Sequence, residues 1–351
     1  EYQHEGWSIN MRAISSFIFF FVAMIMSVSA QESSENKSID PMWLHVPEEV
    51  TGAEPIITEP VMGSDIPTEY RFVEMLDGVY SPIGIRTPEG DGPFPTIVFA
   101  HMNGGFGMRW LREWTNYGSG TLERFLEEGY AVVWMRYRAE VDTPYGSELT
   151  VREFQGRQRY NRGPLEYEDA IEIIEYVRAL PKVDADRVGW ASVSHGGEML
   201  MKIASEYKGL RAGIATEPAS MDYIAQGPDE SAVPSTEPET ETMEVNTTEM
   251  KTAALAKART LIDKPLAISR ANAVDMPILI VSRARDHNQA TFRLNYELLE
   301  EAGKDVEWKE YDHEHHGFFF IERNAEGEYV SDPIQTEAID YAVSYFARHL
   351  K

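Results

Sequence analysis

With 351 residues, 43% of them hydrophobic and 26% charged, the chain holds enough apolar material for one large core, and a single α/β domain suits that length. A formal charge of -26 excludes nucleic acid as a partner, because phosphate binding needs a basic surface. The lack of cysteine excludes disulfides, thiolate metal sites, a cysteine nucleophile and a lipidated N-terminal cysteine.

Residues 1–10 show no periodicity and read as upstream sequence outside the product, with Met11 as the true start. The apolar run Phe17 to Met26 has the length of a signal-peptide core and is short for a membrane span. Val28-Ser29-Ala30 suits a signal-peptidase cut. Residues 11–30 are therefore expected to be a signal peptide, giving a secreted or periplasmic protein with no stable membrane anchor after cleavage. Residues 31–69, polar and rich in Pro and Glu, read as a flexible lead-in.

From Tyr70 the texture changes. Tyr70–Met75 and Val79–Arg86 are β-rich around Asp77-Gly78, a hairpin signal. Thr96–Ala100 is a short apolar strand that delivers His101-Met102-Asn103-Gly104-Gly105 at its end. Thr121–Glu128 reads as a helix stopped by Gly129, and Tyr130–Met135 as the next strand. A long polar loop with Arg157, Arg159 and Arg162 follows, read as solvated. Leu165–Leu180 carries a helical stripe of Ala170, Ile173, Ile174 and Val177, with carboxylates on its other face.

Val188–Ala191 then forms a buried strand ending in Ser192-Val193-Ser194-His195-Gly196-Gly197, with helix formers from Glu198 to Tyr207. Ala212–Thr216 is another strand. Glu217–Met250 is acidic, with no Lys or Arg, and opens an insertion over 217–275 that reads as a lid, with Thr252–Ile268 helical. Pro277–Val281, Gln289–Ala302, Val306–Tyr311 and Pro333–His349 restore the strand and helix alternation. The pattern predicts an α/β class: a mostly parallel, doubly wound sheet with an antiparallel leading hairpin.

Ligands of such sheets bind beyond the carboxyl ends of the strands. His101, Ser194, Asp286 and His316 all follow candidate strands. A serine between a strand and a helix matches a nucleophile elbow, where the turn demands small neighbours two positions away on either side. Gly196 meets that demand, and Ser192 stands where glycine is usual. A serine hydroxyl needs a base within reach, oriented by a carboxylate. The order Ser194, Asp286, His316 is that of α/β hydrolases.

On these passages the chain resembles an α/β hydrolase of the dienelactone hydrolase and prolyl oligopeptidase type, over 70–351. The passages are Asp77-Gly78-Val79, Gly92-Pro93-Phe94-Pro95, Val183 to Gly189, Ser194-His195-Gly196-Gly197 and His316-Gly317-Phe318. The resemblance implies Ser194 as nucleophile, Asp286 as acid and His316 as base. It also implies the N–H of His195 as one oxyanion donor, with the second open between Met102 and Asn103. Dienelactone hydrolases proper use a cysteine, which this chain lacks, and prolyl oligopeptidases carry a propeller for which the segment before Tyr70 is too short.

Trp110, Trp114 and Tyr117 are candidates to wall a substrate pocket, with packing of a long loop as the alternative. His101 reads as structural, ordering the oxyanion loop. His313 and His315 compete with His316 for the role of base. With His287 they also form a weak metal signal, since their spacing is not helical, so no metal and no cofactor is expected. The expected function is a serine hydrolase cleaving a carboxylic ester through an acyl-enzyme. The alternatives are a peptidase acting on short Xaa-Pro peptides and a non-catalytic binding module.

Overall fold

The apolar runs of the sequence become the centre of a sheet of nine strands in the order β1-β2-β3-β5-β4-β6-β7-β8-β9. The computed structural model describes residues 57–78, 80–101, 111, 120–135, 164–218, 224, 247–324 and 326–351. The strands are β1 (Ile57–Val61), β2 (Ser64–Glu74), β3 (Tyr80–Arg86), β4 (Phe94–Ala100), β5 (Ala131–Trp134), β6 (Val183–Val193), β7 (Ala212–Thr216), β8 (Ile278–Arg283) and β9 (Val306–Tyr311). From β5 through β4, β6, β7 and β8 to β9 every neighbouring pair is parallel, whereas β1, β2 and β3 are antiparallel to their neighbours. β7 and β8 are buried at every position, as expected of central strands covered on both faces.

The helices are α1 (Gly120–Glu127), α2 (Pro164–Arg178), α3 (His195–Ile203), α4 (Thr248–Leu261), α5 (Lys264–Ala273), α6 (Gln289–Glu301) and α7 (Pro333–Leu350). One core lies between the sheet and α2 to α6, where Ile173, Leu200, Ala267 and Leu298 meet Val98, Trp190 and Ile280. On the other face Phe125 of α1 and Phe346 of α7 pack with Phe99, Ile97 and Val281. α1 ends where Gly129, at φ 82°, lets its own N–H reach Leu126 O (2.9 Å) and the Tyr130 N–H reach Phe125 O (3.1 Å). That pair of bonds satisfies carbonyls the helix would otherwise leave open.

Three expectations change. Residues 57–69 belong to β1 and β2, so the flexible lead-in does not extend to Glu69. The prolines that disguised these strands, Pro60 and Pro67, fall outside the paired positions, at the register shift between Glu59 and Val61 where no ladder N–H is required. The ribbon is held to the body by buried Arg86, which donates to Ile66 O (3.0 Å) and Ser64 Oγ (2.7 Å).

The single helix expected over 252–268 is two helices. Ile262 is extended, Asp263 caps α5 through the Leu266 N–H (3.0 Å), and Pro265 enters at the start of α5, where its missing N–H does no harm. Ala258, Ile262, Ala267 and Ala271 are buried in the same core as Leu298 and Leu299 of α6. This stretch is part of the helical layer, because its small apolar face packs there. The lid-like reading of 217–275 is thereby confined to the part before Thr247, of which Glu217, Pro218 and Ile224 are described. The carboxylates of α2, finally, are not all on the face away from the apolar stripe, since Glu166 and Asp169 are buried.

Candidate active site

β6 hands the chain directly to α3, and the residue between them is Ser194, at φ 75° and ψ −102°. No L-residue adopts that backbone readily, and such strain persists only where surrounding contacts impose it. Here the Ser194 N–H is held by Thr216 O at the end of β7 (2.8 Å), and the Gly196 N–H by His101 O at the end of β4 (3.1 Å). A Cβ on Gly196 would stand 2.1 Å from Ala100 O, so only glycine permits this approach. Ser192, in the usual glycine position, is fully buried and donates its hydroxyl to Ile214 O (2.7 Å), so that serine ties β6 to β7.

The structure brings Ser194, Asp286 and His316 together. Ser194 Oγ lies 2.9 Å from His316 Nε2, and His316 Nδ1 lies 2.8 Å from Asp286 Oδ2. A carboxylate only accepts, so Nδ1 carries the proton and Nε2 faces the serine hydroxyl as an acceptor. Asp286, in the loop after β8, is fully buried. It also accepts from the Asn288 N–H (2.8 Å) and, at 3.3 Å, from Arg283 Nε. Burial alone would raise its carboxyl, but the hydrogen bond and charge of His316, aided by the Asn288 N–H, hold it at about 2. For His316 burial favours the neutral ring, yet Asp286 and Glu217 outweigh it and raise the imidazole above its ordinary 6.5.

The competing histidines are placed elsewhere. His313 Nδ1 accepts from the His315 N–H (3.0 Å), so its Nε2 donates to Asp332 (2.7 Å), the residue that caps α7. Gln335 of the same cap donates to Phe318 O (2.9 Å), which fastens the histidine loop to that helix. His315 is exposed, and among the described residues the ligand atoms close enough to share an ion are those of Glu217, Asp286 and His316, not a set of His287, His313 and His315. His101 is buried and stacked on Trp134 at 5.8 Å, with its carbonyl serving the elbow.

His195 opens α3, so its N–H lies in the first turn, at the positive end of the helix dipole. Its side chain turns away from Ser194 into a buried ionic group. Nε2 is 3.1 Å from Glu166 Oε1 and Nδ1 3.5 Å from Glu198 Oε2, while Lys202 Nζ sits 2.6 Å from Glu198 Oε1 and also bonds Tyr167. Burial opposes the imidazolium of His195, but Glu166 and Glu198 outweigh it and raise the ring above 6.5. Met102, Asn103, Trp110, Trp114 and Tyr117 lie outside the described residues, as do Arg157, Arg159, Arg162 and residues 11–30.

Two site residues escaped the sequence reading. Arg283 is buried and, besides Asp286, donates to Glu314 O (3.1 Å). Glu217 is fully buried, and its Oε2 accepts the Gly317 N–H (2.6 Å) beside His316. The signal was available, since Glu217 directly follows β7, a strand end like those of the other site residues.

A family model described as the C-terminal domain of BAAT and acyl-CoA thioester hydrolases matches residues 164–320, from α2 through the histidine loop. No curated protein sequence matches the chain. Among solved structures, the acylaminoacyl peptidase of Pyrococcus horikoshii is similar over 82% of this chain and 42% of its own, at 18% identity and a TM-score of 0.51. This chain thus spans less than half the length of that peptidase. A putative dienelactone hydrolase from Klebsiella pneumoniae aligns over 82% of this chain and 100% of its own, at 14% identity and a TM-score of 0.52. A hyperthermophilic esterase from Pyrobaculum calidifontis aligns over 83% and 87%, at 16% identity and a TM-score of 0.50. Sheet order, the serine at the strand–helix turn and the likeness to these structures give this chain an α/β-hydrolase fold, with residues 164–320 similar to the acyl-CoA thioester hydrolase C-terminal domain.

Proposed function

We propose that the protein cleaves carboxylic esters, oxygen esters or thioesters, through an acyl-enzyme on Ser194. The observation that carries this reading is the unbroken line from Ser194 Oγ to His316 Nε2 (2.9 Å) and from His316 Nδ1 to Asp286 (2.8 Å), built on a serine at φ 75°. In the first half-reaction Ser194 Oγ attacks the substrate carbonyl carbon and its proton passes to His316 Nε2. Asp286 stabilises the imidazolium, and the first N–H of α3 faces the developing oxyanion. The C–O or C–S bond then breaks, with His316 protonating the departing alcohol or thiol. Water, deprotonated by the same nitrogen, releases the acid and restores the serine.

Esters are favoured over peptides because a neighbour matched over its whole length is a putative dienelactone hydrolase, while the peptidase neighbour is matched over 42% of its length. A panel of short-chain aryl esters, acyl thioesters and Xaa-Pro amides tests this. Turnover of the esters at least about 100-fold above the amides is expected; the reverse ratio would make the protein a peptidase, the second reading. The proposal includes export with cleavage after Ala30. An exported protein whose intact mass begins at Gln31 supports it, and a mass retaining residues 11–30 refutes it.

A further inference from the structure

His316 has two carboxylates beside it, and the triad uses one. Glu217 ends β7 at φ 51°, a left-handed backbone for a non-glycine residue. That turn carries its side chain under the base. Oε2 is engaged by the Gly317 N–H, but Oε1, buried, has no hydrogen-bond partner among the described residues. It lies 3.7 Å from His316 Nδ1, the nitrogen that bonds Asp286, and 3.9 Å from Arg283 Nε. Leaving a carboxylate oxygen both buried and unpartnered is costly, and such atoms call for an explanation in function. The explanation is at hand in the catalytic cycle, where the ring beside Oε1 becomes a cation.

We propose that Glu217 is a second carboxylate partner of His316, a positioning residue that shares with Asp286 the orientation and stabilisation of the imidazolium. The inference rests on the triad reading above. In the resting enzyme the Nδ1 proton belongs to Asp286 at 2.8 Å. When Nε2 takes the serine proton, the charge spreads over the ring and Nδ1–H is drawn to both carboxylates. The charged groups that face the pair among the described residues come from two elements. Arg283, Asp286 and His287 come from the end of β8 and its loop, and His316 with the Gly317 N–H comes from the loop after β9. Burial, reinforced by the charge of Asp286, pushes Glu217 up to about 7 against the opposing pull of His316, the Gly317 N–H and Arg283. Its charge therefore changes in the range where His316 works, and the two titrate as a pair. The sign is clear: ionised Glu217 raises His316, so removing it lowers the base.

The test compares wild type, Glu217→Gln, Asp286→Ala and the double variant by kcat/KM for an aryl ester across pH. In the wild type kcat/KM rises through a midpoint above the ordinary histidine value. In Glu217→Gln that midpoint moves to lower pH, with kcat down by about fivefold on the alkaline plateau. Triad acids cost roughly 10⁴-fold when removed alone. With Glu217 in reserve, Asp286→Ala is expected to lose about 10²-fold, and adding Glu217→Gln about 10²-fold more, a coupling expected only of residues that share a partner. An unmoved midpoint overturns the proposal, as does a Glu217→Gln effect no larger in the Asp286→Ala background than in the wild type. Inactivation by a chelator, reversed by Zn²⁺, would make the three side chains a metal site and also overturn it. If Asp286→Ala does not fold, the midpoint of the near-isosteric Glu217→Gln decides alone. Full activity in Ser194→Ala would instead remove the triad reading itself, a distinguishable failure.

Discussion

Ser194→Ala is expected to lower kcat by roughly 10⁶-fold and to abolish labelling by a fluorophosphonate probe, with the fold intact. The size follows from the geometry. His316 and Asp286 are aligned on a single oxygen, Ser194 Oγ, so a base and its orienting acid remain with nothing to activate. The same position gives a second, independent readout. Ser194 holds φ 75°, and alanine inherits that strain, whereas glycine accepts it without cost. Ser194→Gly should therefore be as inactive as Ser194→Ala but more stable by about 1 kcal/mol, a part of the ~1–3 kcal/mol such backbones store. Denaturant midpoints of the two variants check this. Near-normal turnover in either one would sink the assignment of the nucleophile.

Gly196→Ala should disable the enzyme without touching a reacting atom. The added Cβ would stand 2.1 Å from Ala100 O, 2.6 Å from Ala100 C and 2.8 Å from Ala100 Cβ. Two of those atoms are backbone of β4, in the middle of the sheet, and cannot turn aside as a flexible side chain could. α3 must lift from the end of β4, which breaks the bond from the Gly196 N–H to His101 O and shifts both Ser194 and the first N–H of α3. Overpacking of this kind costs about 1–3 kcal/mol, and a misplacement near 1 Å can cost about 10²-fold in rate. We expect both: a lower unfolding midpoint and kcat/KM down by at least about 10²-fold. Gly197→Ala is the internal control, because its nearest neighbour, Thr216 O, would be 3.1 Å away. Equal effects at the two positions would show that the close approach to β4 is not what Gly196 provides.

The unusual elbow sequence has a compact explanation in the sheet. Ser192 replaces the customary small glycine, and its buried hydroxyl reaches across to bond Ile214 O on the neighbouring strand β7. Behind the elbow, Glu166, His195, Glu198 and Lys202 bury four ionisable groups within two helices. Charges taken that far from water are tolerated only when paired, and the pairing of His195 with Glu166 anchors the start of α3 to α2. The N-terminal end of the helix, next to Ser194, is thereby fixed by its own first side chain.

The sequence by itself determined the alternation of elements, the strand ends at which Ser194, Asp286 and a cluster of three histidines stand, and the order serine, acid, histidine. Those features are local. Short β-branched runs mark buried strands, capping and breaking residues mark helices, and the strand-end rule of parallel sheets then selects the residues. Its errors were also local in origin: prolines hid β1 and the start of β2, and the acidic residues of α2 were assigned to the face opposite the apolar stripe, although Glu166 and Asp169 are buried. Tertiary structure alone decided which of three neighbouring histidines meets the serine. His313, His315 and His316 differ in role only because Asp332, solvent and Ser194 stand where separate elements of the sheet and α7 deliver them. It also decided that Glu217, one more acid in an acidic stretch when read along the chain, lies buried against His316. The reason is the same in both cases: burial and charge pairing join residues of separate elements, 19 positions apart for His313 and Asp332 and 100 for Glu217 and Gly317, and no local pattern carries that information.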